Sequence, residues 1–501
     1  MANSVDRLHD TWLFIDDDHV LYRAGTRRVF QRPVRHGANP LVAPTEPWEM
    51  ALAWNSIYHD PDTGKYQLWY QSYYEGDLQD RRFGCVVCYA ESDDGIHFHK
   101  PELDLFPFAD RAQTNIVLLG SGGHSSRYCC SVLVDVHEPN ADRHYRMAYF
   151  DWTETDAGQR PGLCVAFSPD GIHWTKHPRA PLSAIAYGSS GDEVPLTTQT
   201  DRAWAVPLSM SDATDVFFDP VLERYVWYGK MWIDGPDGRM AWKHAMGRTE
   251  SADFLDWSTP ELVCAPDDED PLHVEFHTTP VFYHEGVYIC LNQVLDRAVG
   301  GGVIDVELML SRDGRNWQRP FRDEFFLPRG AAGTFEGGSI FTNSTPVMLA
   351  DEMRFYYGGY SAGATSADDR RHVSGIGLAT LRRDRFAGIQ PLDRTDLVTQ
   401  RQPVEGVGQV TLKKTSLAQV RAVELNADAS AGSIRVEVLD AAGRRVPGFT
   451  CQDAVPVRGD SLRHGVRWQQ RQLTDLAPGD YMLRLHLERA TLFALRWVAP
   501  A

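Results

Sequence analysis

A seven-residue segment, Ser168–Trp174 (Ser-Pro-Asp-Gly-Ile-His-Trp), is repeated along the chain with small changes. Ser92–Phe98 and Ser311–Trp317 keep its pattern of Ser-x-Asp-Gly-x-x-aromatic, and degenerate copies lie at Ser251–Trp257 and Arg382–Phe386. Asp-Gly is typical of a tight turn, because glycine tolerates a positive φ and aspartate bonds to nearby backbone. We therefore interpret these Asp-Gly segments as structural, and their repetition predicts a repeat architecture.

An aromatic-rich alternating run precedes each Asp-Gly segment. The runs end at five tyrosines: Tyr70, Tyr149, Tyr228, Tyr288 and Tyr357. These tyrosines stand 22, 19, 23, 23 and 25 residues before the segments. Alternation with a period of two, bounded by turn signals, is typical of strands, and no long helical periodicity occurs between residues 45 and 390. One four-stranded element repeated five times predicts an all-β fold with a five-bladed β-propeller.

The chain changes character after residue 403. Short alternating runs such as Ser433–Leu439 and Tyr481–Leu487 follow, separated by glycine and aspartate turns. About a hundred residues of this kind suit a small β-sandwich. The predicted division is a propeller over residues 1–395, whose last blade the N-terminal strand completes, and a β-sandwich over residues 400–501. The sandwich is interpreted as a stabilising appendage, with sugar binding or substrate framing as the alternative.

Bulk composition excludes several classes of function. The 501 residues carry a formal net charge of −18, which argues against a nucleic-acid partner because phosphate binding favours a basic surface. No apolar run approaches the length of a membrane span, so no membrane partner is expected. Met1–Asp10 lacks the basic and apolar regions of a secretory signal, so we expect a cytoplasmic location. Whether the protein forms a homo-oligomer stays open.

Acidic residues near the predicted start of each blade are the candidates for chemistry. Four are assigned as catalytic: Glu49, Asp215, Glu275 and Glu336. Each lies among apolar or small residues, where burial of a carboxylate is costly unless it has a task or a partner. The structural alternative for any one of them is a buried ion pair with one of three cations: Arg127, Lys230 or Arg329.

Converging carboxylates are the groups that glycoside hydrolysis needs. One carboxylic acid protonates the leaving oxygen, and a second carboxylate activates water or attacks the anomeric carbon. Aromatic rings offer flat surfaces on which a sugar ring stacks, and polar side chains bind its hydroxyls. Six residues are therefore predicted to bind substrate, an oligosaccharide or glycoside: Trp48, Trp54, Arg127, Lys230, His277 and Arg329.

His273–His277 contains a possible metal-binding pattern. Alternation along a strand places His273, Glu275 and His277 on one face, where the three side chains could hold a divalent ion. Histidines beside an acid in a propeller channel more often bind substrate hydroxyls. We therefore predict no metal and no cofactor, with a divalent ion at these three residues as the alternative.

The repeated segments also carry a resemblance to known families. Together with the turn from Asp219-Pro220 to Tyr225 and the trailing β-sandwich, they resemble the five-bladed propeller glycosidases. These comprise the invertase-like family 32 enzymes and the arabinanase-like family 43 group. Leu13–Asp17, Pro47–Glu49 and Ser311–Gly314 are similar to a broad bacterial group described as glycosyl-hydrolase-like.

The resemblance implies roles for individual acids. Asp215 is similar in placement to the middle acid of such enzymes, and Glu275 or Glu336 to the proton donor. One departure concerns the Trp-x-Asn-Asp-Pro-Asn-Gly motif of invertase-like enzymes, which is split here between Trp54–Ser56 and His59–Asp62.

The sequence thus predicts a glycoside hydrolase that cleaves a terminal glycosidic bond, with furanosides among the candidates. A lyase or transglycosidase that uses the same pocket, with His277 as base, is one alternative. A carbohydrate-binding propeller without catalysis is the other. Hydrolysis requires at least two of the predicted acids to share one pocket.

Overall fold

A computed structural model of the protein describes residues 10–74, 78–122, 130–155, 158–184, 210–233, 243–299, 301–322, 324–364, 373–392 and 407–499. The chain divides into two compact units. The repeat unit comprises Pro33–Val347 and Arg354–Thr380. The terminal unit comprises Met1–Arg32, Met348–Met353 and Leu381–Ala501.

The predicted all-β class is confirmed. The described residues contain no α-helix and only short 3-10 helices, at Arg81–Gly84, Ala141–Arg143 and Leu473–Asp475. None of these described helices has the length and apolar character needed to cross a membrane. The first strands are β1 (Thr11–Leu13), β2 (Val20–Ala24), β3 (Thr26–Phe30) and β4 (Val34–Arg35).

Three antiparallel groups of strands begin the repeat unit. The first contains β5 (Ala51–His59), β6 (Tyr66–Tyr73), β7 (Cys85–Ser92) and β8 (Ile116–Leu119). The second contains β9 (Cys130–Val134), β10 (Tyr145–Thr155), β11 (Gly158–Ser168), β12 (Thr175–Lys176) and β13 (Ser183–Ala184). The third contains β14 (Val216–Asp219), β15 (Arg224–Ile233), β16 (Lys243–Ser251) and β17 (Glu261–Cys264).

The remaining strands of the repeat unit form one ten-stranded sheet that consists of two antiparallel groups. The fourth group contains β18 (Val274–Phe276), β19 (Val281–His284), β20 (Val287–Asp296), β21 (Val303–Ser311) and β22 (Trp317–Gln318). The fifth contains β23 (Ser339–Phe341), β24 (Val347–Met348), β25 (Glu352–Tyr360), β26 (Ser374–Arg382) and β4. A parallel pairing of Ile304 with Ser339 joins the two groups.

Side-chain hydrogen bonds link each group to the next and the fifth group back to the first. The links are Ser56 Oγ to Cys130 O (3.3 Å), Ser131 Oγ to Val216 O (3.1 Å), Tyr288 Oη to Asp219 Oδ2 (2.9 Å), Gln293 Nε2 to Thr342 O (3.3 Å) and Asn343 Nδ2 to Asn55 Oδ1 (2.9 Å). The groups therefore form a propeller-like ring, in which the beginnings of β5, β9 and β14 lie close together.

The Asp-Gly segments form the predicted turns and also join neighbouring groups. Asp170 Oδ1 accepts hydrogen bonds from the backbone N–H groups of Ile172 (2.9 Å) and His173 (2.8 Å), and Gly171 has a φ of 79°. The Gly171 carbonyl accepts a hydrogen bond from Trp69 Nε1 in the first group (2.7 Å). The corresponding bonds elsewhere are Tyr228 Oη to Gly314 O (2.6 Å) and Tyr356 Oη to Gly95 O (2.7 Å).

The terminal unit is a sheet of ten strands in which residues from both ends of the chain pair. Its later strands are β27 (Ala387–Pro391), β28 (Val407–Leu412), β29 (Thr415–Ser416), β30 (Ala422–Asp440), β31 (Val457–Gly465), β32 (Asp480–Glu488) and β33 (Thr491–Val498). The first part of β30 pairs with β33 and its last part with β32.

The N-terminal strands divide between the two units, and among them β4 lies where the sequence predicted an N-terminal strand, at the edge of the fifth group. β1 pairs with β33, β2 with β28 and β3 with β27, whereas the two-residue β4 pairs with β26 of the fifth group. The residues before Pro33 therefore belong with the terminal unit and not with a propeller over residues 1–395. The physical reason is burial, because Trp12 and Phe14 lie in the apolar core of the terminal unit.

Candidate active site

The candidate site lies where the first strands of the groups begin in the repeat unit. Trp54 occupies a β-bulge in β5, where the register with β6 shifts between Leu52 and Asn55. Bulges re-aim side chains and are frequent beside functional sites. Cys130, at the start of β9, places its Sγ 3.8 Å from the Trp54 carbonyl oxygen. Burial, with a contribution from the nearby Asp215 carboxylate, raises the pKa of Cys130 to about 12.

Asp215 is a buried carboxylate with incomplete hydrogen bonding. It directly precedes β14, whose Val216 is fixed by Ser131 and Ser344 through bonds of 2.9–3.2 Å. Asp215 Oδ1 has no hydrogen-bond partner among the described residues. Burial raises the pKa of Asp215 to about 7, and hydrogen bonds from Ser344 oppose the shift only in part. Asp215 is therefore close to half protonated at neutral pH.

Asp212 lies three residues before Asp215 and has the opposite electrostatic environment. Its carboxylate forms an ion pair with Lys230 of β15, with 2.5 Å between Oδ1 and Nζ. Burial favours protonation of Asp212, but the Lys230 charge outweighs it and lowers the pKa of this carboxyl. The two Cα atoms are at most about 11 Å apart along the chain. One carboxyl group with a raised pKa and one with a lowered pKa thus belong to the same short segment.

His277 and Trp54 form an aromatic side of the site. Their ring centroids are 6.0 Å apart with an interplanar angle of 23°, and Phe341 lies 4.7 Å from Trp54. His277 Nδ1 lies 3.1 Å from Gln293 Oε1. Burial and the Lys230 charge lower the pKa of His277 well below its usual value. A neutral imidazole therefore faces the site beside an indole.

Glu275 holds a second histidine, His244 of β16. His244 Nδ1 lies 2.6 Å from Glu275 Oε2, and its ring packs on Trp232 with 3.7 Å between centroids. Arg297 donates from Nε to Glu275 Oε1 and from Nη2 to Oε2. Burial raises the pKa of Glu275, but the bonds from His244 and Arg297 outweigh it and lower the pKa to about 2. Glu275 is therefore an ionised carboxylate with both oxygens engaged.

Two predicted catalytic acids lie in ion pairs of their own. Glu49 Oε2 lies 2.5 Å from Lys100 Nζ, and Glu49 Oε1 accepts a hydrogen bond from Tyr70 (2.6 Å). Glu336 pairs with Arg35 (2.8 Å) and accepts a bond from Tyr357 (2.6 Å). Both carboxylates thus take the structural alternative, although with cations other than the three that the sequence suggested.

The predicted binding residues also divide into those that belong to the site and those that bond elsewhere. Trp54, Lys230 and His277 belong to the site, whereas Trp48 donates from Nε1 to Asn115 Oδ1 (2.8 Å) in the core of the first group. Arg329 pairs with Asp305 (3.0 Å). Arg127 lies outside the described residues.

The alternation from His273 to His277 does not gather three ligands. His273 lies 3.3 Å from Asp296, while Glu275 and His277 bond to the partners described above. Across the part of the chain that the structure describes, no cluster of three histidine, cysteine or acidic side chains is arranged to hold a metal ion.

Asp212, Trp232 and His244 belong to the site but were not among the predicted residues. Asp212 lies only three residues before Asp215 in the sequence, and this spacing could have identified it as a second candidate acid. His244 and Trp232 are directly opposite each other on β16 and β15. That register is a property of strand pairing that the sequence pattern did not define.

Comparisons with known proteins give similarity of structure only. No family model and no curated protein matches the chain. One similar solved structure is a glycoside hydrolase (TM-score 0.48, 14% identity, covering 75% of this chain and 95% of that one). Another is an N-acetylgalactosamine deacetylase from F. plautii in complex with blood group B trisaccharide (0.42, 16%, 72% and 96%). A third is a GH32 β-fructofuranosidase from Bombyx mori (0.40, 12%, 94% and 95%).

Glycoside hydrolases are thus among the structural neighbours, as the sequence resemblance predicted. With identities of 16% or lower and TM-scores of 0.48 or lower, these three structures carry no inference about activity.

Proposed function

We propose that this protein is a glycoside hydrolase that releases a terminal sugar, with furanosides among the candidate substrates. The observation that carries the proposal is a pair of carboxyl groups three residues apart, the buried Asp215 and the partly buried Asp212, whose pKa values are shifted in opposite directions. The pKa of Asp215 is raised to about 7, while Lys230 holds the pKa of Asp212 below its usual value. Such a pair supplies one acid and one carboxylate at neutral pH, as glycoside cleavage requires.

Five residues of the site take a role in this mechanism. Asp215 gives its proton to the glycosidic oxygen as the bond to the anomeric carbon breaks. Asp212 acts at the anomeric carbon, either directly or by taking a proton from the attacking water. Trp54 stacks on the sugar ring, and His277 accepts a hydrogen bond from a hydroxyl group. Lys230 keeps Asp212 ionised.

The proposed architecture is a five-bladed propeller and a β-sandwich. The five antiparallel groups, linked by side-chain bonds from the first to the fifth and back, support the blades. The two sets of partners along β30 support a sheet that folds over into two layers. In this architecture the site lies in the central funnel, where the first strands of the blades begin.

The first test distinguishes the roles of Asp215 and Asp212 by comparing substrates with good and poor leaving groups. A panel of aryl glycosides, furanosides included, identifies a substrate, which is then prepared with a good and a poor leaving group. We expect Asp215→Asn to lower kcat about 10²–10⁴-fold for the poor leaving group and far less for the good one, which needs no proton. Asp212→Asn should lower kcat for both.

Glu49→Gln is the matched control, because it neutralises a buried, cation-paired carboxylate outside the site. If folded, it should keep the wild-type kcat with both leaving groups. Equal losses in Asp215→Asn for both leaving groups would contradict the role of Asp215 as proton donor. Sugar binding by the wild type without turnover of any glycoside would favour a carbohydrate-binding protein instead.

The pH dependence gives a second prediction. Because the pKa of Asp215 is raised to about 7, its proton is present below this pH and is lost as the pH rises through it. We expect kcat/KM for the poor leaving group to be level below pH 7 and to fall about tenfold per pH unit above it. A level profile up to pH 9 would contradict the assignment.

A further inference from the structure

His244 is held by two neighbouring residues. Trp232 lies directly opposite it across β15 and β16 and packs against its ring at an interplanar angle of 39°. Glu275 Oε2 accepts from His244 Nδ1 at 2.6 Å and lies 3.3 Å from the His244 backbone nitrogen. An imidazole fixed by an aromatic contact and by a carboxylate has little freedom to rotate. Its orientation, and the position of its ring proton, are therefore set by the fold.

The chemistry of Glu275 decides which ring nitrogen carries the proton. Arg297 binds both carboxylate oxygens, so Glu275 stays ionised and can only accept hydrogen bonds. His244 Nδ1 must then be the donor, and in a neutral ring Nε2 carries the lone pair. Among the described residues, the hydrogen bond found for the His244 ring is the one from Nδ1 to Glu275, which leaves Nε2 without one. Burial and the Lys230 charge lower the pKa of His244, so the ring is neutral at pH 7.

We propose that Glu275 is a positioning residue that fixes His244 as a hydrogen-bond acceptor for a neutral sugar hydroxyl. This inference rests on the proposed function for the identity of the ligand, but the tautomer itself does not. A hydroxyl group suits the site because it donates to His244 Nε2 and still accepts a bond from the Lys230 ammonium group, which shares a face of the sheet with His244. A carboxylate has no hydrogen to offer Nε2. The site therefore selects hydroxyl groups over carboxylates at this position.

Replacing the Glu275 carboxylate by a neutral amide should exchange the donor and acceptor roles of the two His244 ring nitrogens. In Glu275→Gln the amide oxygen accepts from Arg297, and the amide nitrogen donates to His244 Nδ1. The ring proton then moves to Nε2, which becomes a donor and no longer accepts from the substrate hydroxyl. Glu275→Asp keeps the carboxylate and the original tautomer. Glu336→Gln is the matched control, since Glu336 is a buried carboxylate bound to an arginine but has no histidine partner.

The experiment first measures the tautomer in the full-length protein without substrate. Nitrogen-15 NMR at pH 7, with His244→Ala used for assignment, should show Nδ1–H in the wild type, Glu275→Asp and Glu336→Gln, and Nε2–H in Glu275→Gln. A charged ring or an Nε2–H tautomer in the wild type would overturn the inference, whatever the protein's activity.

The second measurement is the affinity for free monosaccharides, fructose, arabinose, mannose, galactose and xylose, by calorimetry. We expect Glu275→Gln to weaken the Kd of the best ligand about 10–100-fold, with near wild-type values in Glu275→Asp and Glu336→Gln. An unchanged Kd in a folded Glu275→Gln variant overturns the inference, as does a lack of binding by the wild type. If sugar binding depends on Glu275 but the protein turns over no glycoside, the inference about Glu275 holds and the proposed hydrolase function is wrong.

Discussion

The buried carboxylates of this protein differ in how completely their oxygens are satisfied. Glu49, Glu275 and Glu336 have partners on both oxygens and a cation beside them. Among the described residues, Asp215 has no cation partner and one of its oxygens has no hydrogen bond. An incompletely paired buried carboxyl group costs stability, so its retention indicates a task. This distinction, and not burial alone, separates a candidate acid from a structural ion pair.

Gln71 and Gln67, on the same strand, also differ in how completely their polar side-chain atoms are hydrogen-bonded. Both polar atoms of Gln71 are buried without a partner in the described part of the chain. Gln67, on the same face of β6, donates to Tyr89 (3.2 Å) and accepts from Tyr145 (3.0 Å). We expect Gln71→Leu to raise the free energy of unfolding by about 1 kcal/mol, because it removes two unsatisfied groups.

Gln67→Leu is the control for that prediction. It should lower the free energy of unfolding by about 1–3 kcal/mol, because it leaves the Tyr145 hydroxyl unpaired and removes one bond of the Tyr89 hydroxyl, which still donates to Glu91 Oε2 (3.3 Å). Urea denaturation followed by tryptophan fluorescence compares the two variants. Destabilisation of similar size in both would show that Gln71 has a bonding role like that of Gln67.

Some of the individual residues of the candidate site were predicted from the sequence. Asp215, Lys230, His277 and Trp54 were named from their types and contexts. In the structure Trp54 lies beside His277, and Lys230 pairs with Asp212, three residues before Asp215. The partners of the acids could not be predicted, because they come from distant parts of the chain: Arg35 and Glu336 are 301 residues apart. Every candidate acid had an apolar sequence context, so context alone could not tell a paired carboxylate from an unpaired one.

At the scale of elements, the Asp-Gly segment acts as a turn and as a joint between groups. Ser168 and Asp170 close the turn through short-range bonds, and the Gly171 carbonyl then accepts from Trp69 of the neighbouring group. The turn was predictable because its residue types set its conformation locally. The hydrogen bond between the two groups was not predictable, because it depends on which aromatic side chain of the neighbouring group reaches the turn.

Gly171→Ala tests the joint. A methyl group at Gly171 would meet Trp69 Cζ2 at 2.7 Å, and its φ of 79° is strained for alanine. We expect a loss of at least about 2 kcal/mol in the free energy of unfolding. Gly64→Ala is the control, since Gly64 has a similar φ of 74° and open space around it. It should cost only the backbone strain, about 1 kcal/mol.

The difference between the two alanine variants isolates the contact with Trp69 from the cost of the backbone conformation. Calorimetric unfolding of both variants under the same conditions measures that difference. Equal losses would mean that the segment contributes only a turn.

At the scale of the whole molecule, the N-terminal strands were the part of the fold that sequence patterns misplaced. Repeats predicted the groups of strands well, because each copy carries the same local signals. β1–β3 carry no copy of the repeat, and the pairing of Thr11–Leu13 with Arg496–Ala494 spans nearly the full chain. A pairing of that sequence separation leaves no local pattern, so it had to come from the packing of apolar side chains.

Phe14 provides the test of this arrangement. Its side chain is fully buried in the core of the terminal unit, together with Trp497 and Leu495. We expect Phe14→Ala to destabilise that unit by about 3–5 kcal/mol, because it removes a large buried side chain. Hydrogen exchange should quicken in β33 and β30 but not in β10 or β11. Phe150→Ala, at an equally buried phenylalanine of the repeat unit, should give the reverse pattern. Faster exchange in β10 and β11 of Phe14→Ala would instead place the N-terminal strands with the repeat unit.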